Sequence, residues 1–176
     1  MGIEIQILNL IQGLRTSFGD FVMHLISSLG NAGVLWILLT VVLLLVPKKR
    51  EAGMILLFAL LADLLLCNIL IKPLVARVRP YDVNTAIRLL VDKPVDYSFP
   101  SGHTAASFAS VAALYLAGEK RLWKWALAAA VLIAFSRMYL YVHYPTDVLG
   151  GIAVGVLAGY LGFRLQRGLK SRRQSP

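Results

Sequence analysis

The sequence is short of charge. Only 15% of its 176 residues are Asp, Glu, Lys or Arg, against about 25% in an ordinary soluble domain. That shortage leaves no room for a large water-soluble domain, and 58% hydrophobic residues point the same way. Acidic residues are the scarcer sign, with 9 Asp+Glu against 18 Lys+Arg and a net charge of +9. The three histidines are dispersed, and no Cys/His or multi-carboxylate set has metal-site spacing, so no metal or other cofactor is expected. One cysteine, Cys67, lies inside an apolar run. It excludes an intrachain disulfide and reads as a small core residue. A basic n-region and a small-residue cleavage site are missing from the first residues, so they do not read as a signal peptide.

What the sequence does have is apolar runs. A membrane span needs about 20 such residues. Residues 33–47, 52–71, 102–118, 122–142 and 146–165 qualify or come close. Residues 18–29 help make a sixth element with the N-terminal segment. There Ile3, Ile7, Leu10, Ile11 and Leu14 follow helical spacing, while Ile5 and Leu8 fall off the stripe. An interfacial helix is expected there. The fold class is therefore all-α: a polytopic membrane helix bundle of about six helices, in a single domain over 1–176. Gly151, Gly155 and Gly159 recur every four residues and predict close helix packing.

The connections are short except for residues 80–99, which are too polar to span. A loop of that length is usually functional, and it is expected to cover a site. Lys48–Arg50, Lys120–Lys124 and Arg164–Arg173 fall on one side if the five runs are simple crossings. The positive-inside rule makes that side, with the C-terminus, cytoplasmic. The basic residues then read as topology determinants and contacts to anionic headgroups, with no nucleic-acid partner. The opposite, extracytoplasmic side still holds Lys72, Arg77, Arg79, Arg88, Lys93 and Arg137. Cations on the unfavoured side call for an anionic ligand.

Three polar clusters reach that side. Lys72 and Arg79 are seven residues apart, nearly two helical turns, followed by Pro80. Alone they would be snorkelling cations. Phe99-Pro100-Ser101-Gly102-His103 opens the third run, where free helix N–H groups favour an anion. Ser101 would add a hydroxyl donor, or act only as an N-cap. Ser136-Arg137 and His143-Tyr144-Pro145-Thr146-Asp147 bridge the fourth and fifth runs. Pro145 suits the first turn of a new helix, so His143 and Asp147 meet across a corner where the carboxylate can fix the imidazole. His24 reads as structural and away from these clusters. Asp63 reads as a buried polar contact, and Arg77 as facing away from Arg79. The assembled set, three cations, two histidines and a carboxylate at a helix N-terminus, suits binding and attacking phosphate.

The pattern K-x6-R-P, PSGH and SR-x5-H-x3-D resembles the type 2 phosphatidic acid phosphatase superfamily. It stands here as Lys72/Arg79/Pro80, Pro100/Ser101/Gly102/His103 and Ser136/Arg137/His143/Asp147. The resemblance covers about residues 50–165. Vanadium-dependent haloperoxidases share similar motifs, but they are soluble. The resemblance implies that His143 is the nucleophile and forms a phosphohistidine. Asp147 would orient it, and His103 would serve as acid, then base. Lys72, Arg79, Arg137, Ser101 and Gly102 would hold the phosphate, without a metal. The implied partners are a lipid phosphate substrate and membrane lipids. Undecaprenyl diphosphate is the first candidate; phosphatidic acid, phosphatidylglycerol phosphate and lipid A phosphate are alternatives. A non-catalytic binder or transporter would not require two histidines and a carboxylate.

Overall fold

The computed structural model describes residues 2–174, and among these every regular element is helical. The chain opens with α1 (Ile3–Gly13) and α2 (Ser17–Leu29), whose first turn is capped by Thr16 accepting from the Gly19 N–H. A short turn over Asn31–Gly33, with Ala32 and Gly33 in the left-handed region, bends the chain by 45° into α3 (Val34–Leu45). After a turn at Pro47–Lys49 comes α4 (Arg50–Asp63), which runs on as a π-helix over Leu64–Ile71 and then as α5 (Lys72–Val75). The remaining helices are α6 (Pro80–Val83), α7 (Gly102–Leu116), α8 (Leu122–Tyr139) and α9 (Pro145–Gln174).

The all-helical bundle agrees with the sequence, but its helices are less uniform than the apolar runs suggested. Two stretches, Pro47–Val83 and Pro145–Arg172, are long and apolar enough to cross a membrane, and the bent α2–α3 pair makes a third if counted together. α7 has 15 residues, about 22 Å of helix, short of the ~30 Å hydrocarbon core. α8 has 18 residues but carries Lys124 and Arg137 within them.

α7 lies at the centre, against α4, α8 and α9. Its Gly-, Ala- and Ser-rich sequence is what permits this. Ala105, Ala109 and Ala113 are fully buried, and the Ser107 and Ser110 hydroxyls donate to backbone carbonyls one turn back. α9 meets α7 through the predicted glycines. A Cβ on Gly155 would stand 2.3 Å from the Ala105 carbonyl oxygen, and one on Gly159 2.5 Å from the Ala112 Cβ. Gly162 makes the same approach to α4 at Ala59.

At one end, Lys49 pairs with Glu119 and Lys170 with Glu51, drawing the three basic clusters together. The polar clusters that follow α5, precede α7 and follow α8 meet at the other. α1 packs there too, with its regular apolar stripe turned outward from the bundle. Ile5 and Leu8 are buried, whereas Ile3, Leu10 and Leu14 are strongly exposed. The regular stripe faces outward because polar residues on the inner side tie the helix down. Gln12 donates to the Tyr139 carbonyl, Asn9 accepts from Tyr141, and Glu4 accepts from Arg77 and Thr146.

Candidate active site

A cavity of about 940 Å³ opens at this end of the bundle. Lys72, Arg79, Gly102, His103, Arg137 and His143 all line it. Asp147 and Ser101 stand behind its wall, both fully buried. The cavity thus gathers six of the eight residues singled out in the sequence, with the other two in support.

The route by which Lys72 and Arg79 converge differs from the expected helical one. The helix stops at Val75 because Ala76 takes a left-handed conformation, φ 48°. Residues 76–79 are not helical, and Pro80 starts α6 instead of ending a longer helix. This break turns both cations toward one point, where the Asp96 carboxylate meets the Lys72 ammonium and the Arg79 guanidinium. Arg79 also donates to the Val142 carbonyl at 2.7 Å and the Asp96 carbonyl at 2.8 Å. Burial works to raise the Asp96 carboxyl. The hydrogen bond and charge of Lys72, with those of Arg79, together outweigh it and hold the group at about 2.

His143 occupies the corner between α8 and α9, where Tyr141 adopts φ 60°. Its Nδ1 lies 3.5 Å from Asp147 Oδ2, at the edge of hydrogen-bond reach. Its Nε2 lies 3.4 Å from an Arg79 nitrogen. Burial, with the nearby Arg79 and Arg137 charges, holds the imidazole well below the ordinary histidine range despite the opposing pull of Asp147. These surroundings favour the neutral ring. With the proton on Nδ1 toward Asp147, the Nε2 lone pair faces Arg79 and the cavity.

Asp147 is gripped from several sides. Its Oδ2 accepts from the Ser98 hydroxyl and from the Tyr144 N–H, and its Oδ1 accepts from Arg77 at 2.6 Å. Arg77 in turn reaches Glu4 and Thr146 and stacks over the Tyr144 ring at 3.9 Å. The sequence reading set Arg77 aside because helical spacing turned it from Arg79. The break at Ala76 removes that spacing and sends Arg77 to the carboxylate.

His103 begins the first turn of α7 and presents Nε2 to Asn31 Oδ1 at 3.0 Å. Gly30 lies close beneath: a Cβ there would stand 2.7 Å from the imidazole. The bend between α2 and α3 is thus fitted around His103. Ser101 is the N-terminal flanking residue of α7, but its hydroxyl makes no capping bond; it accepts from Thr104 at 3.0 Å. Its backbone N–H donates to the Asp147 carbonyl, joining the starts of α7 and α9. Arg137 is 5% exposed, donates to Ser27, and has an Nε with no hydrogen-bond partner among the described residues.

The sequence reading missed several lining or supporting residues: Asp96, Ser98, Asn31, Ser27 and His24. His24 lines the cavity, contrary to its expected place away from the clusters. Residues 91–96 of the long loop also line it, through Val91, Asp92, Pro94 and Asp96.

The arrangement has known counterparts. Residues 52–170 match the family model of the PAP2 superfamily. An undecaprenyl-diphosphatase of Sulfolobus acidocaldarius is 30% identical over 94% of this chain and 80% of its own length. A lipid A 4'-phosphatase of Bacteroides thetaiotaomicron is 30% identical over 98% of this chain and 81% of its own. Among solved structures, LpxE of Aquifex aeolicus superposes with a TM-score of 0.80 at 26% identity, covering 93% of this chain and 96% of that one. The PAP2-type phosphatidylglycerolphosphate phosphatase of Bacillus subtilis gives 0.71 at 28% identity, covering 96% and 85%. A family match that spans most of the chain, relatives aligned nearly end to end and a shared fold agree: this protein belongs to the PAP2 superfamily.

Proposed function

We propose that the chain is an integral membrane phosphatase that hydrolyses a lipid phosphate or diphosphate through a phosphohistidine on His143. The observation that carries this reading is Arg137. A buried guanidinium with no carboxylate partner among the described residues is costly unless an anion joins it. It lines the same cavity as Lys72, Arg79 and both histidines. Three cations around one point suit the three non-bridging oxygens of a phosphoryl group, where positioning and charge stabilisation carry most of the rate.

In the proposed reaction, neutral His143 Nε2 attacks phosphorus. The N–P bond forms as the bond to the leaving oxygen breaks, and protonated His103 gives that oxygen its proton. Asp147 stabilises the positive charge that develops on His143. His103, now neutral, takes a proton from water as the water attacks phosphorus; the N–P bond breaks, phosphate leaves, and neutral His143 and protonated His103 are restored. Such acid–base assistance is worth about 10²–10⁴-fold. Lys72, Arg79, Arg137 and the Gly102 N–H hold the phosphoryl oxygens, with Ser101 bracing the turn. The family pattern and the residues' common cavity support these roles. The site faces outward from the cytoplasm, under the 80–99 loop. The basic clusters gathered at the far end support that orientation through the positive-inside rule.

Undecaprenyl diphosphate is the first substrate candidate, because a relative bearing that activity aligns over nearly the whole chain. Lipid A phosphate is a second reading, favoured by a polar residue in the cavity's apolar part (Asp63). In the test, purified protein releases phosphate from a lipid phosphate with EDTA present, and His143→Ala stays folded but inactive. Acid-labile radiolabel from a ³²P-labelled lipid should appear on the wild-type chain and not on His143→Ala. Labelling that survives the substitution would sink the nucleophile assignment.

A further inference from the structure

The cavity does not end at the cations. It continues between α3 and α4, where its wall turns apolar with Ile37, Val41, Leu57, Leu60, Leu61 and Leu64. Ile37, Val41, Leu61 and Leu64 are each about half exposed, so this part opens sideways toward the surroundings of the bundle. In a membrane, those surroundings are lipid chains. One wall residue breaks the pattern. Asp63 is 3% exposed, lines the cavity, and has an Oδ1 with no hydrogen-bond partner among the described residues. A carboxyl kept only for structure would be expected to have one, since a buried polar atom left unpaired opposes folding.

The helix presents this residue to the cavity by a change of pitch. Nine residues separate Asp63 from Lys72. At 3.6 residues per turn they would make about two and a half turns and put the two side chains on opposite faces. Leu64–Ile71 is π-helical, with roughly 4.4 residues per turn, so the same nine residues make about two turns. Asp63, Asn68 and Lys72 therefore share a face, and all three line the cavity. A Cβ placed on Gly102 would meet Asn68 Oδ1 at 3.3 Å and Lys72 Nζ at 3.6 Å, which puts the Asn68 amide beside the phosphate end.

We infer that Asp63, with Asn68, forms a second polar subsite in the lipid-chain part of the cavity, which takes a hydroxyl or amide N–H carried on the lipid near its headgroup. The inference rests on the lipid-phosphatase reading and names the substrate class within it. The subsite lies at most roughly 13 Å from Lys72 along the helix. A phosphorylated lipid with hydroxylated or amide-linked acyl chains has a donor at that depth. A polyprenyl chain has no polar atom there, and it leaves the carboxyl unpaired in contact with hydrocarbon. On this ground the acylated class gains over the polyprenyl class that alignment alone puts first.

The test uses two synthetic lipids of equal length in detergent micelles. One is an alkyl phosphate with a 3-hydroxyacyl amide in its chain, and the other is a plain alkyl phosphate. Wild-type protein is expected to favour the first by about tenfold in kcat/KM, the effect of one well-made hydrogen bond to a buried carboxyl. In Asp63→Leu the ratio should fall to near one, whatever the absolute rates. A wild-type ratio near one overturns the inference, as does a tenfold ratio that survives Asp63→Leu. Should that variant fail to fold, the wild-type ratio decides alone. If neither lipid is hydrolysed, the phosphatase reading has failed and the subsite is read from binding. Calorimetric titration of His143→Ala with the two lipids then supports it by a tenfold affinity difference and overturns it by equal affinities.

Discussion

Asp96→Asn takes away a carboxylate that bridges Lys72 and Arg79, the two cations that would grip phosphate. This carboxylate stands on the two cations where phosphate oxygens would bind, so substrate has to displace it. The size of the effect follows from its titration. A fall from the ordinary 3.8 to about 2 corresponds to about 2.4 kcal/mol before solvent screening. The Asp96 side chain is 47% exposed, and screening at such a site leaves roughly 1 kcal/mol. Displacement at that cost weakens apparent substrate affinity by about fivefold. Asn at position 96 is therefore expected to lower KM, and the inhibition constant of inorganic phosphate, by about fivefold. The ion pairs hold wherever Asp96 is ionised and are lost only as pH falls through about 2. The gain should accordingly be constant across about pH 5–9. The assay is steady-state phosphate release with a lipid phosphate in micelles, with and without added phosphate. A KM that rises in Asp96→Asn would refute the reasoning, because it would mean that Asp96 organises the cations for substrate instead of competing with it.

Arg77→Met should cost about 3 kcal/mol of stability, since it strips the partner from one oxygen of the fully buried Asp147. It should also lower kcat by more than it changes KM. Arg77→Lys should recover part of the loss, because an ammonium restores the charge but not the several-pronged contact to Asp147, Thr146 and Glu4. Thermal melts and kinetics on both variants check this, and equal kcat in all three proteins would count against a positioning role. Gly155→Leu should destabilise the fold by about 1–3 kcal/mol or more and so lower its melting temperature in detergent, because even a Cβ would stand 2.3 Å from the Ala105 carbonyl. An unchanged melt would show that α7 and α9 are not in that close contact.

The seven motif side chains stood out in the sequence because polar residues are rare in a chain of apolar runs, and their order along it fixed which end they reach. What sequence spacing could not show was where the backbone departs from the α-helix. Continued helix would turn Arg77 away from Arg79, yet Ala76 breaks the helix before it. At α-helical pitch Asp63 would face away from Lys72, and the π-helix brings it onto the same face. Nothing in the 80–99 loop distinguishes Asp96 from Asp82 or Asp92; only the folded path of the loop brings Asp96 to the cations. Asn31 belongs to a short Gly-Asn-Ala-Gly turn whose composition says bend and nothing about His103. In α1 the regular apolar stripe was legible, but its direction was not. A stripe does not say whether it faces protein or lipid, and the fixing contacts come from Glu4, Asn9 and Gln12 on the other side.

The charges at the site can be followed through a turnover. Arg77 pairs with both Glu4 and Asp147. Lys72 and Arg79 share Asp96, and Arg137 has no acidic partner among the described residues. Among Lys72, Arg79, Arg137 and Asp96 alone, three cations face one carboxylate, an excess of two positive charges. A phosphate that displaces Asp96 meets the three cations without it. Displacing the carboxylate raises the excess to three, which suits the additional negative charge of a diphosphate. The two substrate forms should therefore respond differently to Asp96→Asn. Removing the carboxylate leaves a dianion over-compensated and a trianion matched, so the gain in affinity should be larger for the lipid diphosphate than for the monophosphate. A larger gain for the monophosphate would mean that Asp96 stays in place when phosphate binds, and that the cations and this carboxylate hold the substrate together.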